Sequence, residues 1–153
     1  NKIMDKKEIL DFFKKTNLPK RYINLCNSFT DYEHAKSPIK KEILDFFKKK
    51  EIDLKFSKPD SSFFEDLEID GFSFRFMLNF KYGLISSLYM LWNDDEVVIR
   101  KNLSNISEEL DIDFEKKIKY RYPISTSKED LEIILNETLN IYKEFKDEFI
   151  KQQ

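Results

Sequence analysis

The chain has 153 residues, of which 41% are hydrophobic and 37% charged, with 27 basic and 29 acidic side chains. This length fits one domain, and the apolar fraction is too large for a disordered chain. Two glycines cannot form a glycine-rich phosphate loop, and one cysteine with one histidine cannot form a Cys/His zinc site within the chain. We predict neither a cofactor nor a metal site. A magnesium or calcium ion bound by carboxylates is the one kind of metal site that the composition leaves open.

The sequence contains no stretch that could span a membrane. Its most hydrophobic segment, residues 84–92, has under half of the ~20 residues that a spanning helix needs. The single cysteine, Cys26, cannot form an internal disulfide, which is typical of a reducing compartment. We therefore expect a cytoplasmic protein without a membrane partner.

Apolar residues at helical spacing predict three helices in the first third of the chain. The first covers residues 5–15, the second follows Pro19, and the third follows Pro38. The ten residues that start at Lys6 recur unchanged from Lys40, so two helices carry the same apolar face. We expect this face to lie in the core, with the docking of a partner as the alternative.

From residue 52 the apolar period changes from that of a helix to that of a strand. The alternation is clearest over residues 72–81, where every second residue is apolar. Short turns join consecutive strands, which predicts an antiparallel meander of three or four strands. The predicted strands are residues 53–56, 72–81, 84–92 and 96–100.

The last part of the chain returns to helical spacing. A short helix is predicted over residues 105–110, and Ser127 caps a long final helix. Together the elements predict an α+β fold in which the C-terminal helix packs on one face of the sheet. Residues 1–153 form a single domain, with a helical part (1–50), an antiparallel sheet (52–100) and a second helical part (101–153).

The net charge of −2 hides a polarised chain. Residues 1–58 carry 15 basic and 9 acidic side chains, whereas residues 59–115 carry 4 basic and 13 acidic ones. The acidic residues fall on predicted turns and connections, which suits a surface that attracts a basic partner. Ordinary solvated loops are the alternative explanation. The candidate partner-binding carboxylates are Asp60, Glu65, Asp66, Asp94, Asp95 and Glu96.

Exposed aromatic side chains would anchor such a partner. Phe63 and Phe64 are the candidates, because they lie in a polar connection where exposed rings would be informative. Tyr82, Tyr89 and Trp92 are further candidates, although large rings mostly fill protein interiors. Which face of the sheet is covered decides whether the rings of the meander are core or surface.

Patterns that indicate catalysis are weak. Cys26 and His34 form the only Cys/His pair, and Cys26 lies among apolar residues typical of a core. Asp60 and Glu115 resemble fragments of a metal-dependent nuclease pattern, but the gap between them is long. Four arginines and a pI of 5.6 argue against nucleic-acid binding. We therefore predict that the protein is not an enzyme.

Two stretches carry a family resemblance, namely the meander from Phe72 to Trp92 and the start of the last helix from Tyr122 to Leu131. In layout, size and charge, the chain resembles small bacterial immunity proteins of polymorphic toxin systems. The resemblance implies a cytoplasmic, non-enzymatic inhibitor that binds one cognate toxin and blocks its active site. The acidic middle segment agrees with a basic toxin.

The predicted function is therefore protein binding and inhibition, as an immunity protein that neutralises a cognate toxin through an acidic surface. One alternative is a general adaptor domain that uses its repeated amphipathic helices. A second alternative is a metal-dependent nuclease. The identity of the toxin and the oligomeric state stay open.

Overall fold

Helices form the two ends of the chain and an antiparallel sheet forms its middle in the computed structural model, which describes residues 4–152. The helices are α1 (Lys6–Lys15), α2 (Lys20–Ser28), α3 (Lys40–Lys49), α4 (Leu103–Leu110), α5 (Phe114–Lys117) and α6 (Lys128–Lys151). The strands are β1 (Lys55–Ser57), β2 (Ser62–Ile69), β3 (Phe72–Asn79), β4 (Ser86–Asn93) and β5 (Glu96–Asn102). This layout confirms the predicted α+β fold.

The sheet has five strands, rather than the three or four predicted, in the order β1-β2-β3-β4-β5. The additional strand is β2, which pairs with β3 over eight residues, from Ser62 opposite Asn79 to Ile69 opposite Phe72. Its sequence is rich in acidic residues, which are depleted in strands, so local propensity gives no signal for it. Pairing with the strongly alternating β3 overrides that weak propensity.

One face of the sheet is covered by helices, and aromatic rings fill the space between the two layers. The ring of Phe76 stacks on that of Tyr142 in α6, with 3.9 Å between centroids. Phe13 of α1 stacks on Phe145 of α6 at 4.2 Å and meets Tyr89 of β4 edge-on at 4.8 Å. The long C-terminal helix therefore packs on one sheet face, as predicted.

The two copies of the repeated sequence have different surroundings. Both helices bury the same three positions, Ile9, Phe12 and Phe13 in α1 and Ile43, Phe46 and Phe47 in α3. In α1, Lys6 forms an ion pair with Glu109 at 2.5 Å, whereas no ion pair within residues 4–152 involves Lys40, its counterpart in α3. The apolar face of both helices lies in the core, which confirms the first of the two interpretations.

The connection between α5 and α6 is tied to the rest of the domain by hydrogen bonds. The Tyr22 hydroxyl donates to the carbonyl of Arg121 at 2.5 Å, and the Tyr32 hydroxyl donates to the carbonyl of Tyr122. The predicted cap is present, since the Ser127 hydroxyl accepts a hydrogen bond from the Asp130 N–H at 3.1 Å. No helix within residues 4–152 is long and apolar enough to cross a membrane.

Candidate protein-binding surface

The second face of the sheet is not covered by any helix of the described chain. Side chains alternate between the two faces of a strand, and in β3 the odd-numbered positions from Ser73 to Asn79 are all less buried than their neighbours. We call this side the open face. Its residues include Phe64, Asp66, Glu68, Ser73, Arg75, Met77, Asn79, Leu88, Met90, Trp92, Val97 and Arg100. Trp92 therefore lies on the surface side of the sheet, whereas Tyr89 is fully buried in the core.

Apolar side chains form two patches on the open face, and the row between them holds Asp66, Arg75, Met90 and Arg100, of which Met90 is only 7% exposed. The strand register places Met77 between Phe64 and Leu88, and Trp92 beside Val97. Val97 is 57% exposed, which is high for a β-branched residue in a strand. A shallow groove of about 580 Å³ follows this side of the sheet, from Asn79 and Lys81 at one end to Trp92 and Val97 at the other.

One ion pair on the open face is bidentate. The Arg75 guanidinium donates to both carboxylate oxygens of Asp66, at 2.6 and 2.8 Å, and lies 4.5 Å from the centroid of the Phe64 ring. The hydrogen bond from Arg75 holds the pKa of the Asp66 carboxyl below its usual range. Asp66 is therefore already paired within the sheet, in contrast to a carboxylate that is free to meet a partner.

Two turns bring unpaired carboxylates together at one end of the sheet. The β2–β3 turn and the β4–β5 turn lie at the same end, because Phe72 pairs with both Ile69 and Asn93. We call this group the acidic end, and it consists of Glu68, Asp70, Asp94, Asp95 and Glu96. Glu68 accepts a hydrogen bond from the Ser73 hydroxyl at 2.8 Å, and none of the five forms an ion pair within residues 4–152.

The prediction that Phe63 is an exposed anchor is wrong. Phe63 belongs to β2 and is 2% exposed, with its ring 5.2 Å from that of Phe47 and 5.1 Å from that of Phe56. Phe64 follows it in the strand and therefore points to the open face. The supposed polar connection is a strand, and its two-residue period separates these neighbouring rings.

The prediction that Glu65 is an exposed, partner-binding carboxylate is also wrong. It lies on the covered face of β2, where it accepts hydrogen bonds from the Tyr142 hydroxyl and from the Lys146 ammonium, the latter at 3.0 Å. Burial and the hydrogen bond to Glu65 raise the pKa of Tyr142. Glu65 thus fastens α6 to the sheet and is not available to a partner.

Asp60 lies at the opposite end of the sheet from Asp94, Asp95 and Glu96. It precedes β2, whose eight residues span ~24 Å between the two ends. Asp60 accepts a hydrogen bond from the Ser57 hydroxyl at 3.0 Å. Tyr82, which is 80% exposed, lies near this opposite end as well. The predicted residues therefore do not form one site, and only Asp94, Asp95 and Glu96 belong to the acidic end.

Sequence reasoning missed the apolar part of the surface. Met77, Leu88 and Val97 give no chemical signal on their own, because apolar residues in strands usually face the core. The available signal was the alternation of β3 and β4, which places Met77 and Trp92 on the side opposite the phenylalanines. Without knowing which side the helices cover, that alternation could not assign an exposed face.

The catalytic alternatives gain no support from the geometry. Cys26 is fully buried, and burial raises the pKa of its thiol to about 12, which is unlike an activated nucleophile. His34 is exposed and its Nδ1 lies 2.9 Å from Asp31. Glu115 forms an ion pair with Arg121 at 2.9 Å. In the part of the chain that the structure describes, no group of three His, Cys, Asp or Glu side chains could hold a metal ion.

Comparisons with known proteins assign no family to the chain. No family model matches it, and neither does any curated protein or solved structure. The open face and the acidic end are therefore the basis on which we propose a function.

Proposed function

We propose that the protein binds a basic protein partner and inhibits it without catalysis, as an immunity protein neutralises a cognate toxin. The observation that carries the proposal is the position of the acidic end beside Trp92 and Val97. An apolar surface and a group of unpaired carboxylates thus meet at one end of one sheet face.

The two parts of this surface favour different steps of binding. Carboxylates that form no internal ion pair attract a basic protein over several ångströms and raise the rate of productive encounters. Apolar and aromatic side chains then exclude water at the centre of the contact and slow dissociation. A rapid and tight complex is what an inhibitor of a toxin needs, because free toxin damages the cell that makes it.

The adaptor alternative depended on an exposed apolar stripe along the repeated helices. The phenylalanines of that stripe are buried in both copies, Phe12 and Phe13 in α1 and Phe46 and Phe47 in α3, and only its edge at Leu44 is exposed. The nuclease alternative depended on carboxylates that gather around a metal, and the described residues offer no such group. Protein binding through the open face is the function that the geometry supports best.

The test compares tagged wild-type protein with two charge variants in capture from the native host lysate. Asp94→Lys with Asp95→Lys reverses two charges at the acidic end. Glu33→Lys with Asp45→Lys makes the same change of net charge at exposed positions elsewhere. We expect the wild type and the control variant to retain one stoichiometric partner. At low salt, this partner should associate with the acidic-end variant about tenfold more slowly than with the wild type.

The dependence of the association rate on ionic strength provides a second test of the same complex. The association rate of the wild type should fall steeply as salt rises, whereas that of the acidic-end variant should change little. Equal rates for all three proteins, or an association rate that is independent of salt, would contradict the proposed role of the acidic end. Capture that no open-face or acidic-end substitution weakens would contradict the proposed function.

A further inference from the structure

The apolar side chains of the open face are placed for a partner that lies on the sheet rather than for one that extends its edge. Strand addition uses the unpaired backbone at the edge of a sheet. Here the apolar side chains lie across the middle strands β3 and β4, where backbone hydrogen bonds are already made on both sides. A partner that covers Met77 and Leu88 must therefore lie on the face itself.

The dimensions of the open face match a short helix. The strands β2, β3 and β4 have eight residues each, so the face is ~24 Å long in the strand direction. A helix of ~14 residues is ~21 Å long. The opposite face of the same sheet already packs against α6, which shows that the twist of this sheet accepts a helix.

Met77 makes the surface adaptable. It is unbranched and flexible, so its side chain adjusts to the ridges of a helix, whereas Met90 is only 7% exposed and forms the floor of the groove. Leu88 lies next to Met77 in the sheet, and Trp92 supplies a large ring at the end of the groove. Such a surface tolerates variation in the apolar residues of its partner.

Charge sets the direction of the bound helix. The groove runs toward the acidic end at Trp92 and Val97 and passes Arg75 and Arg100, whereas Lys81 and Asp60, which have opposite charges, line its other end. A helix N-terminus carries a partial positive charge, and lysine or arginine in its first turn adds to that charge. Of the two directions in which the helix could lie, the electrostatic energy is therefore lower when its basic N-terminal end lies over Asp94 and Asp95.

We infer that the open face binds an amphipathic helix of the partner, whose apolar side fills the groove and whose basic N-terminal turn lies at the acidic end. This inference rests on the proposed function and names the element of the partner that is recognised. A helix on this face would complete a three-layer arrangement of helix, sheet and helix.

Trp92 is the only tryptophan of the chain, so its fluorescence reports directly on the open face. The probe is a synthetic peptide of ~14 residues without tryptophan, with leucines at helical spacing, glutamines elsewhere and lysines in the first turn. A second peptide has glutamates in place of the lysines. We expect a saturable change in Trp92 emission at one peptide per protein, with the lysine peptide bound about tenfold more tightly than the glutamate peptide.

Neutral substitutions separate the apolar contact from the charge effect. Leu88→Gln with Val97→Gln should weaken binding of the lysine peptide by about tenfold. Ile133→Gln is the matched control, because Ile133 is 55% exposed on α6, and this variant should bind as the wild type does. If the double variant does not fold, Val97→Gln alone gives the same comparison, since Val97 is largely exposed.

The outcomes distinguish this inference from the proposed function. Equal binding of the two peptides, equal binding by the variants, or an unchanged Trp92 emission overturns the helix inference. If the native partner is nevertheless captured and Leu88→Gln with Val97→Gln releases it, the proposed function stands and only the helix is wrong. A wild-type dimer that Val97→Gln dissociates in sedimentation would make a second copy the occupant, which also overturns the inference.

Discussion

Replacement of Gly83 by alanine should destabilise the domain far more than the same replacement at Gly71. Both glycines have φ in the left-handed region, +79° at Gly83 and +85° at Gly71, so alanine carries a comparable backbone cost at either position. They differ in surroundings. A Cβ at Gly71 meets no atom within 4 Å, whereas a Cβ at Gly83 would lie 2.9 Å from the backbone nitrogen of Lys36.

The magnitude follows from these contacts. The left-handed conformation costs alanine about 1 kcal/mol, which is the whole effect expected for Gly71→Ala. At Gly83 the backbone of Lys36 must also move, and its N–H donates to the carbonyl of Ser125 at 2.9 Å. Overpacking and a weakened hydrogen bond add about 2 kcal/mol. We therefore expect a loss of about 3 kcal/mol in the free energy of unfolding for Gly83→Ala.

Chemical denaturation of the wild type and both variants, followed by circular dichroism, measures the two losses. The slope of the free energy against denaturant should be unchanged, so that the midpoints report stability. In thermal unfolding, the midpoint of Gly83→Ala should lie about 6–10 °C below that of the wild type. Losses that agree within about 0.5 kcal/mol for the two variants would refute the close approach of the Lys36 backbone to Gly83.

Three further predictions concern stability. Arg21 donates to Glu137, Glu144 and the carbonyl of Thr16, so Arg21→Met should cost about 2 kcal/mol in denaturation, and Arg21→Lys should recover less than half of it; full recovery would contradict the need for a guanidinium. Cys26 should react with a thiol reagent only on unfolding. Burial raises the pKa of the Cys26 thiol to about 12, so its contribution to stability is fully present below pH ~8.5 and is lost as the pH rises toward 12. Cys26→Ala should therefore lose less stability at alkaline pH than the wild type does. A thiol that reacts in the folded protein would contradict this prediction. Leu10→Ala should cost about 2 kcal/mol but Leu44→Ala under about 1 kcal/mol, because Leu10 packs on the core and Leu44 is 41% exposed; equal losses would show that the two helices are equivalent.

The elements that the sequence predicts well are those whose apolar period is strong. The repeated helices, the strand β3 and the long helix α6 all carry such a pattern, and the structure has each of them near the predicted place. The strand β2 was missed, because Ser62 and Glu65 to Glu68 read as a polar connection. Its formation depends on pairing with β3, which is a property of the tertiary structure rather than of its own residues.

The candidate surface was predicted only in part. Asp94, Asp95 and Glu96 were found because three acids in a turn are visible in the sequence. Their neighbours Glu68 and Asp70 come from another hairpin, and only the register of the sheet brings the two turns together. The apolar patches could not be found from sequence alone, since Met77 and Leu88 resemble core residues until the side covered by α6 is known.

Fluorine NMR of the partner complex tests most directly whether the open face is the binding surface. Biosynthetic replacement of the single tryptophan by fluorotryptophan gives one resonance, from Trp92. We predict that a saturating amount of the captured partner shifts this resonance, and that Leu88→Gln with Val97→Gln prevents the shift at the same concentrations. A stable complex in which the Trp92 resonance keeps its free position would contradict binding at the open face.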